Sequence, residues 1–265
     1  MIKIVAIYGS PRMKGNTALL LKQAVKGARE AGAHVEEIFL RNLKISPCLE
    51  IYGCKTTGRC VIQDDFQKVQ NLLLASDGIM LASPIFFYTV SAHTKIFMDR
   101  CQSLWVKKYW IDQVQFGKWE PKRKGLFISA GATKGKKLFE GPLLTVRFFL
   151  DVLDAELWRT LLYRGLDFEG DILKHPEYLT EAFEAGQALA RTLAHQENLM
   201  TTFLRLIFMV GVISPLTIEN SFGIKVNRMI FSCPAKSFER DSILLRKSSM
   251  TEGCWIRSSR QVHWI

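Results

Sequence analysis

The residues best suited to chemistry lie near the start of the chain, in Gly9-Ser10-Pro11-Arg12-Met13-Lys14-Gly15-Asn16-Thr17. Small residues let such a segment turn its backbone N–H groups toward one point, and a helix beginning at its end adds unpaired donors and partial positive charge. That chemistry suits an anion. Ser10, Asn16 and Thr17 supply neutral donors and Arg12 a charged fork, a set suited to a terminal phosphate. The segment only superficially matches the phosphate loop of nucleoside triphosphatases. Gly9 and Gly15 stand one residue too far apart, and Asn16-Thr17 occupy the place where Lys followed by Ser or Thr is required. The plainer alternative is a strand-to-helix turn capped by Asn16 or Thr17, and the rest of the chain decides between the two.

Two further segments bear on that choice. Pro84-Ile85-Phe86-Phe87-Tyr88 is aromatic and follows an apolar run, and Gly131-Ala132-Thr133-Lys134-Gly135 is a second flexible loop. A phosphate in the first loop and an apolar rim in the second describe a nucleotide whose far end is a flat ring, and flavin mononucleotide (FMN) fits. Pro84, Phe86, Phe87 and Tyr88 could cover one edge of the ring while N–H groups near Gly131 approach its polar edge. Elsewhere, His34, His93, His175, His195 and His263 have no ligand-like spacing, so neither a zinc site nor a hydrolase triad is expected. Cys101 follows a helix among apolar neighbours and reads as core. Cys48, Cys54 and Cys60 share one loop, which points to thiol, metal or redox chemistry before structural disulfides.

The elements that must position these groups follow from hydrophobic period. Residues 2–8 and 78–83 are apolar runs of strand length, of the kind buried on both faces of a parallel sheet; 34–40, 125–130 and 156–163 complete five strands. Between them Leu21, Ala24, Val25 and Ala28, then Phe66, Val69 and Leu73, then residues 91–104, then Leu143, Val146 and Leu150, recur at helical spacing. A fifth helix carries Leu179, Ala182, Phe183, Gly186 and Ala190 and fades near Gln196. Residues 105–124 read as a surface excursion. Five strands alternating with five helices give an α/β, doubly wound parallel sheet with right-handed crossovers. In the flavodoxin-like order 2-1-3-4-5 the crevice opens between strands one and three, where the three loops above converge.

The 265 residues carry a formal charge of +11 at pH 7. The basic residues are scattered and form no nucleic-acid module, so the charge reads as general attraction for anionic cofactors and no specific nucleic acid is expected. Met1 leads directly into a strand containing Lys3 with no small-residue cleavage site, so a cytoplasmic location is expected. Residues 1–197 are expected to form one domain and 198–265 a poorly patterned, loosely ordered extension; its apolar stretch at 206–213 is too short for a membrane span.

Taken together, Gly9-Ser10-Pro11-Arg12-x-x-Gly15-Asn16-Thr17, the run Ser83-Pro84-Ile85-Phe86-Phe87-Tyr88-Thr89-Val90-Ser91-Ala92 and its continuation through Arg100 resemble the NADPH-dependent FMN reductase-like family. Pro47-Cys48, the run from Cys60 to Asp65 and Leu162-Tyr163-Arg164-Gly165 resemble its iron–sulfur flavoprotein branch. The resemblance implies non-covalent FMN, with Ser10, Arg12, Asn16 and Thr17 on the phosphate, Pro84, Phe86, Phe87 and Gly131 flanking the ring, and Ser91 at the matching helix start. It implies hydride or electron transfer from NAD(P)H to a small acceptor such as a quinone or flavin, or alternatively electron transfer from a ferredoxin-type partner, by a homodimer or larger homo-oligomer. In that branch four cysteines are spaced C-x2-C-x2-C-x5-C. Here the second position is Ile51, leaving Cys48, Cys54 and Cys60. A [4Fe–4S] cluster usually takes four thiolates, so the loss either opens an iron to another ligand, with Glu50 nearby in sequence, or removes the cluster.

Overall fold

The computed structural model describes residues 1–116, 120–209, 215–219 and 225–229. Five strands, β1 (Lys3–Tyr8), β2 (His34–Phe39), β3 (Gly78–Pro84), β4 (Arg123–Gly131) and β5 (Ala155–Arg164), form one parallel sheet in the order β2-β1-β3-β4-β5. The chain contacts divide at Arg205/Leu206 into two units, and this sheet lies in the first.

Side chains alternate across the sheet and build two cores. On one face Ile4, Ala6 and Tyr8 of β1 meet Leu20, Leu21, Ala24 and Ala28 of helix α1 (Asn16–Glu30) and Ala182, Ala185 and Leu189 of α7 (Pro176–Met209). On the other, Val5 and Ile7 join Phe66, Val69 and Leu73 of α3 (Phe66–Leu74), Phe97 of α4 (Ala92–Arg100) and Val146, Phe149 and Leu150 of α6 (Glu140–Asp151). Short elements complete the unit: 3-10 turns at Leu40–Asn42 and Asp171–Lys174, α2 (Cys54–Thr57) inside the cysteine loop, and α5 (Gln102–Val106) followed by a π-helical turn at Lys107–Ile111, where the sequence suggested irregular chain.

Helices α1 and α7 touch backbone to backbone. A Cβ at Gly186 would fall 1.9 Å from the Ala24 carbonyl oxygen, and one at Gly27 would fall 2.0 Å from that of Phe183. With no side chain between them, the two helices approach as closely as their main chains permit.

Helix α7 does not fade near Gln196 but runs on to Met209, because neither Gly nor Pro interrupts the chain before Gly211 and helix propagates once nucleated. Beyond it, β6 (Pro215–Glu219) and β7 (Lys225–Met229) pair antiparallel, Pro215 opposite Met229, in a stretch the sequence left without periodicity. The rest of the expected 198–265 extension lies outside the described residues. Among the described residues no helix is long and apolar enough to cross a membrane.

Candidate functional site

At the carboxyl ends of β1, β3 and β4 lies a cleft of about 320 Å³. Its floor is the loop after β1. Ser10 is buried, and its Oγ accepts a 3.1 Å hydrogen bond from the Arg12 N–H, which leaves the hydroxyl proton available to the cleft. Gly15 is the N-cap of α1 and contributes no side-chain cap, so the donors of the helix's opening turn are not covered by a local side chain. A Cβ at Gly15 would sit 3.0 Å from Ser10 Oγ and 3.2 Å from Arg12 Cβ, so the loop folds back closely on itself there. Arg41 Nη1 donates to Pro11 O at 2.6 Å and braces the loop from outside. Uncapped helix donors, a hydroxyl and a guanidinium around one concavity fit a dianionic phosphate.

The loop after β3 supplies the apolar wall. Pro84, Ile85 and Phe86 line the cleft, side by side with Ala130, Gly131 and Ala132 at the end of the neighbouring β4. Phe86 and Thr89 exchange two backbone hydrogen bonds of 3.0 Å around a tight turn whose two central residues, Phe87 and Tyr88, have φ of 47° and 59°. Left-handed backbone at two consecutive bulky residues is strained. Tyr88 packs against the start of α6 and the connection before it: a Cβ at Gly141, in the first turn of α6, would fall 2.5 Å from its carbonyl oxygen, and one at Gly135 3.2 Å from its hydroxyl. The turn holds Phe87 fully exposed beside the cleft.

Of the residues singled out in the sequence, Ser10, Arg12, Asn16, Thr17, Pro84, Phe86 and Gly131 border this one cleft, and Phe87 and Ser91 do not. Ser91 is buried. Its Oγ donates to Gly9 O at 2.5 Å and accepts from Thr94 N at 3.3 Å as the N-cap of α4, while its own N–H donates to Ser83 Oγ at 2.9 Å. It locks the first loop to α4 and has nothing left for a ligand. Asn16 borders the cleft, but its side-chain amide is engaged by the loop after β5. Leu166 and Asp167 of that loop also line the cleft and were not singled out in the sequence. The adjacent run Leu162-Tyr163-Arg164-Gly165 was the available signal.

The cysteine loop is a separate structure. Both its arms converge on Arg100, whose side chain is fully buried: Nη1 donates to Ser46 O at 2.8 Å and Asp64 Oδ2 at 2.5 Å, and Nη2 to Ile62 O at 3.1 Å and Asp64 Oδ1 at 3.2 Å. Burial works to raise the Asp64 carboxyl, but these bonds and the N–H groups of Ser46 and Phe66 outweigh it and hold the group below its ordinary range. Cys48, Cys54 and Cys60 border a cavity of about 40 Å³. Ile51, in the place of the fourth thiol, is 59% exposed, and among the described residues no three Cys, His, Asp or Glu side chains are gathered to hold a metal. The donor set therefore does not fit a four-thiolate cluster. Cys101 is buried, which pushes its thiol up and leaves it inert.

The strand order, with a cleft at the switch point between β1 and β3, defines a flavodoxin-like α/β protein. The chain belongs to the NADPH-dependent FMN reductase family, whose model matches residues 2–137. Among curated proteins it is similar to an iron–sulfur flavoprotein of Methanocaldococcus jannaschii, 40% identical over 103 residues that cover 39% of this chain and 53% of that protein. It is similar also to an iron–sulfur flavoprotein of Archaeoglobus fulgidus, 37% identical over 99 residues covering 37% and 45%. The matched segments thus span about half the length of these relatives. Among solved structures, an FMN-dependent NADH-azoreductase from Bacillus anthracis in complex with FMN aligns with TM-score 0.53 at 15% identity over 71% of this chain and 99% of that one. A flavone reductase aligns with TM-score 0.53 at 21% identity over 74% and 64%. At these identities the structural matches speak for the fold.

Proposed function

We propose that the protein is an FMN-dependent oxidoreductase that accepts hydride from NADPH or NADH and passes reducing equivalents to a small planar acceptor such as a quinone or a free flavin. The observation that carries this reading is the cleft itself. An uncapped helix start and an aromatic wall face one concavity at the switch point of the sheet, in a chain of the FMN reductase family. When bound, FMN supplies hydride acceptance and release. The chain's own residues bind and orient it. Ser10, Arg12, Thr17 and the N–H groups of the first α1 turn hold the phosphate; Pro84 and Phe86 cover the ring, and Gly131 beside them leaves room for its polar edge. No side chain need act as acid or base. Phe87, solvent-facing beside the ring site, offers a stacking surface for a planar acceptor. A ferredoxin-coupled role, the alternative, would use the same flavin cleft and differ in the electron donor.

Flavin-stripped protein is expected to take up FMN, and the visible flavin band should bleach when NADPH is added under nitrogen. Arg12→Ala is expected to weaken FMN by about 10- to 100-fold, the loss of one charge-assisted contact, and to leave riboflavin, which lacks the phosphate, nearly unaffected. A colourless preparation that takes up no FMN would refute the reading. Stoichiometric iron and sulfide with FMN reduced by ferredoxin but not NADPH would transfer it to the electron-transfer alternative.

A further inference from the structure

Both ends of the Asn16 amide are used away from the phosphate cradle. Nδ2 donates to Phe168 O at 3.0 Å, and Oδ1 accepts from Ile172 N at 3.1 Å. The orientation is settled by chemistry: exchanging the two atoms would set N–H against N–H and oxygen against oxygen. We propose that Asn16 is a positioning residue, which builds a third wall of the cleft out of the loop after β5 and does not itself touch the phosphate.

The loop is made to be placed. It turns through left-handed glycines at Gly165 and Gly170, with φ of 78° and 83°. Its N-terminal end is tied to β4 by Leu166 N donating to Gly131 O at 3.2 Å. Internally the Asp171 carboxylate accepts from Phe168 N at 2.7 Å and Asp167 N at 3.2 Å. Ile172 is fully buried, while Phe168 is 74% exposed and gives no apolar anchorage of its own. Between these points the segment passes the start of α1, and Asn16 holds it there on both sides of the turn. What is presented to the cleft in consequence is Leu166 and Asp167. A carboxylate side chain offers oxygen acceptors and no N–H, so Asp167 adds to this wall a group suited to a ligand hydroxyl more than to a phosphate oxygen. A cradle of donors with an acceptor on the adjoining wall selects a phosphorylated polyol, which is the class to which the phosphate end of FMN belongs. That selectivity rests on the function proposed above; the positioning role does not.

The test uses the full chain freed of flavin. Trypsin cuts after Arg164 and Lys174, which flank the loop, and Lys174 is well exposed. Asn16→Ala is expected to speed cleavage at Lys174 about tenfold, whereas Arg12→Ala cuts at the wild-type rate. In titrations, Asn16→Ala is expected to weaken FMN and riboflavin by a similar factor of about ten, and Arg12→Ala to weaken FMN alone. Asn16→Asp keeps the acceptor for Ile172 and removes the donor, so its cleavage rate should fall between wild type and Asn16→Ala; because its charge repels a phosphate, it is read by cleavage alone and serves there as the variant of record if the alanine protein does not fold. Unchanged cleavage in the folded Asn16 variants overturns the proposal whatever the titrations give, and loss of FMN with riboflavin retained would return Asn16 to the phosphate. If the wild type binds neither flavin, the function fails and the cleavage comparison still decides the role of Asn16.

Discussion

Arg100 shows how one side chain can organise a long loop. Its guanidinium, at the end of α4, closes both ends of the cysteine loop onto that helix through Ser46, Ile62 and Asp64, and stacks 4.8 Å from the Phe66 ring centre. Removing one partner of such a buried pair typically costs about 3–5 kcal/mol, because the other is left charged and unpaired. The pair also carries a pH signature. The folded Asp64 pKa is depressed, so its contribution is complete above the unfolded value near ~3.9 and drains away as pH falls through the folded value. Melting temperature should therefore drop on acidification below about pH 4, and Asp64→Asn should start lower and fall less steeply over that window. Parallel slopes in the two proteins would remove Asp64 from the account. Phe87 poses the opposite case of strain without packing. Phe87→Gly relieves a left-handed φ at a fully exposed residue and is expected to raise the melting point by about 2 °C. FMN affinity should hold while KM for a quinone acceptor rises; an unchanged KM would take the stacking surface away from Phe87.

At the level of elements, the sequence was legible wherever burial imposes a period. All five strands follow from apolar runs, the sheet order from the flavodoxin-like class that their alternation with helices suggests, and the loop from Gly9 to Thr17 from the strand and helix on either side of it. What it left hidden depends on contacts between residues distant in the chain. Asn16 reads as a phosphate donor until the carbonyl of Phe168, 152 positions away, claims its amide. Ser91 reads as a ligand until Gly9, 82 positions earlier, does the same. Leu166 and Asp167 reach the cleft by a loop without periodicity. Gly186 looked like a neutral member of an amphipathic face, yet it is the contact point with α1. Gly186→Ala drives a methyl into the Ala24 carbonyl, and overpacking of this kind should cost at least about 1–3 kcal/mol, read as a lowered denaturant midpoint at constant m-value. A neutral result would mean that the helices separate freely.

For the molecule as a whole, the net charge of +11 has no single home. It adds to a phosphate cradle that already carries the exposed Arg12, so it should act mainly through long-range attraction. Raising salt from ~0.1 M to ~1 M shortens the screening length from about 10 Å to about 3 Å, so FMN affinity should fall several-fold across that range while riboflavin affinity stays flat. Equal salt dependence for the two flavins would assign the effect to hydrophobic or specific-ion terms and leave the charge without a role at the cleft.

The direct seating of α1 on α7 has a kinetic corollary. A rod wedged against its neighbour along bare main chain has no slack in which to slide, so the amides at its tip keep their spacing before any anion arrives. Capture of FMN should then be a one-step collision, its observed rate climbing linearly with flavin concentration and never reaching the plateau that a slow rearrangement of the host would impose.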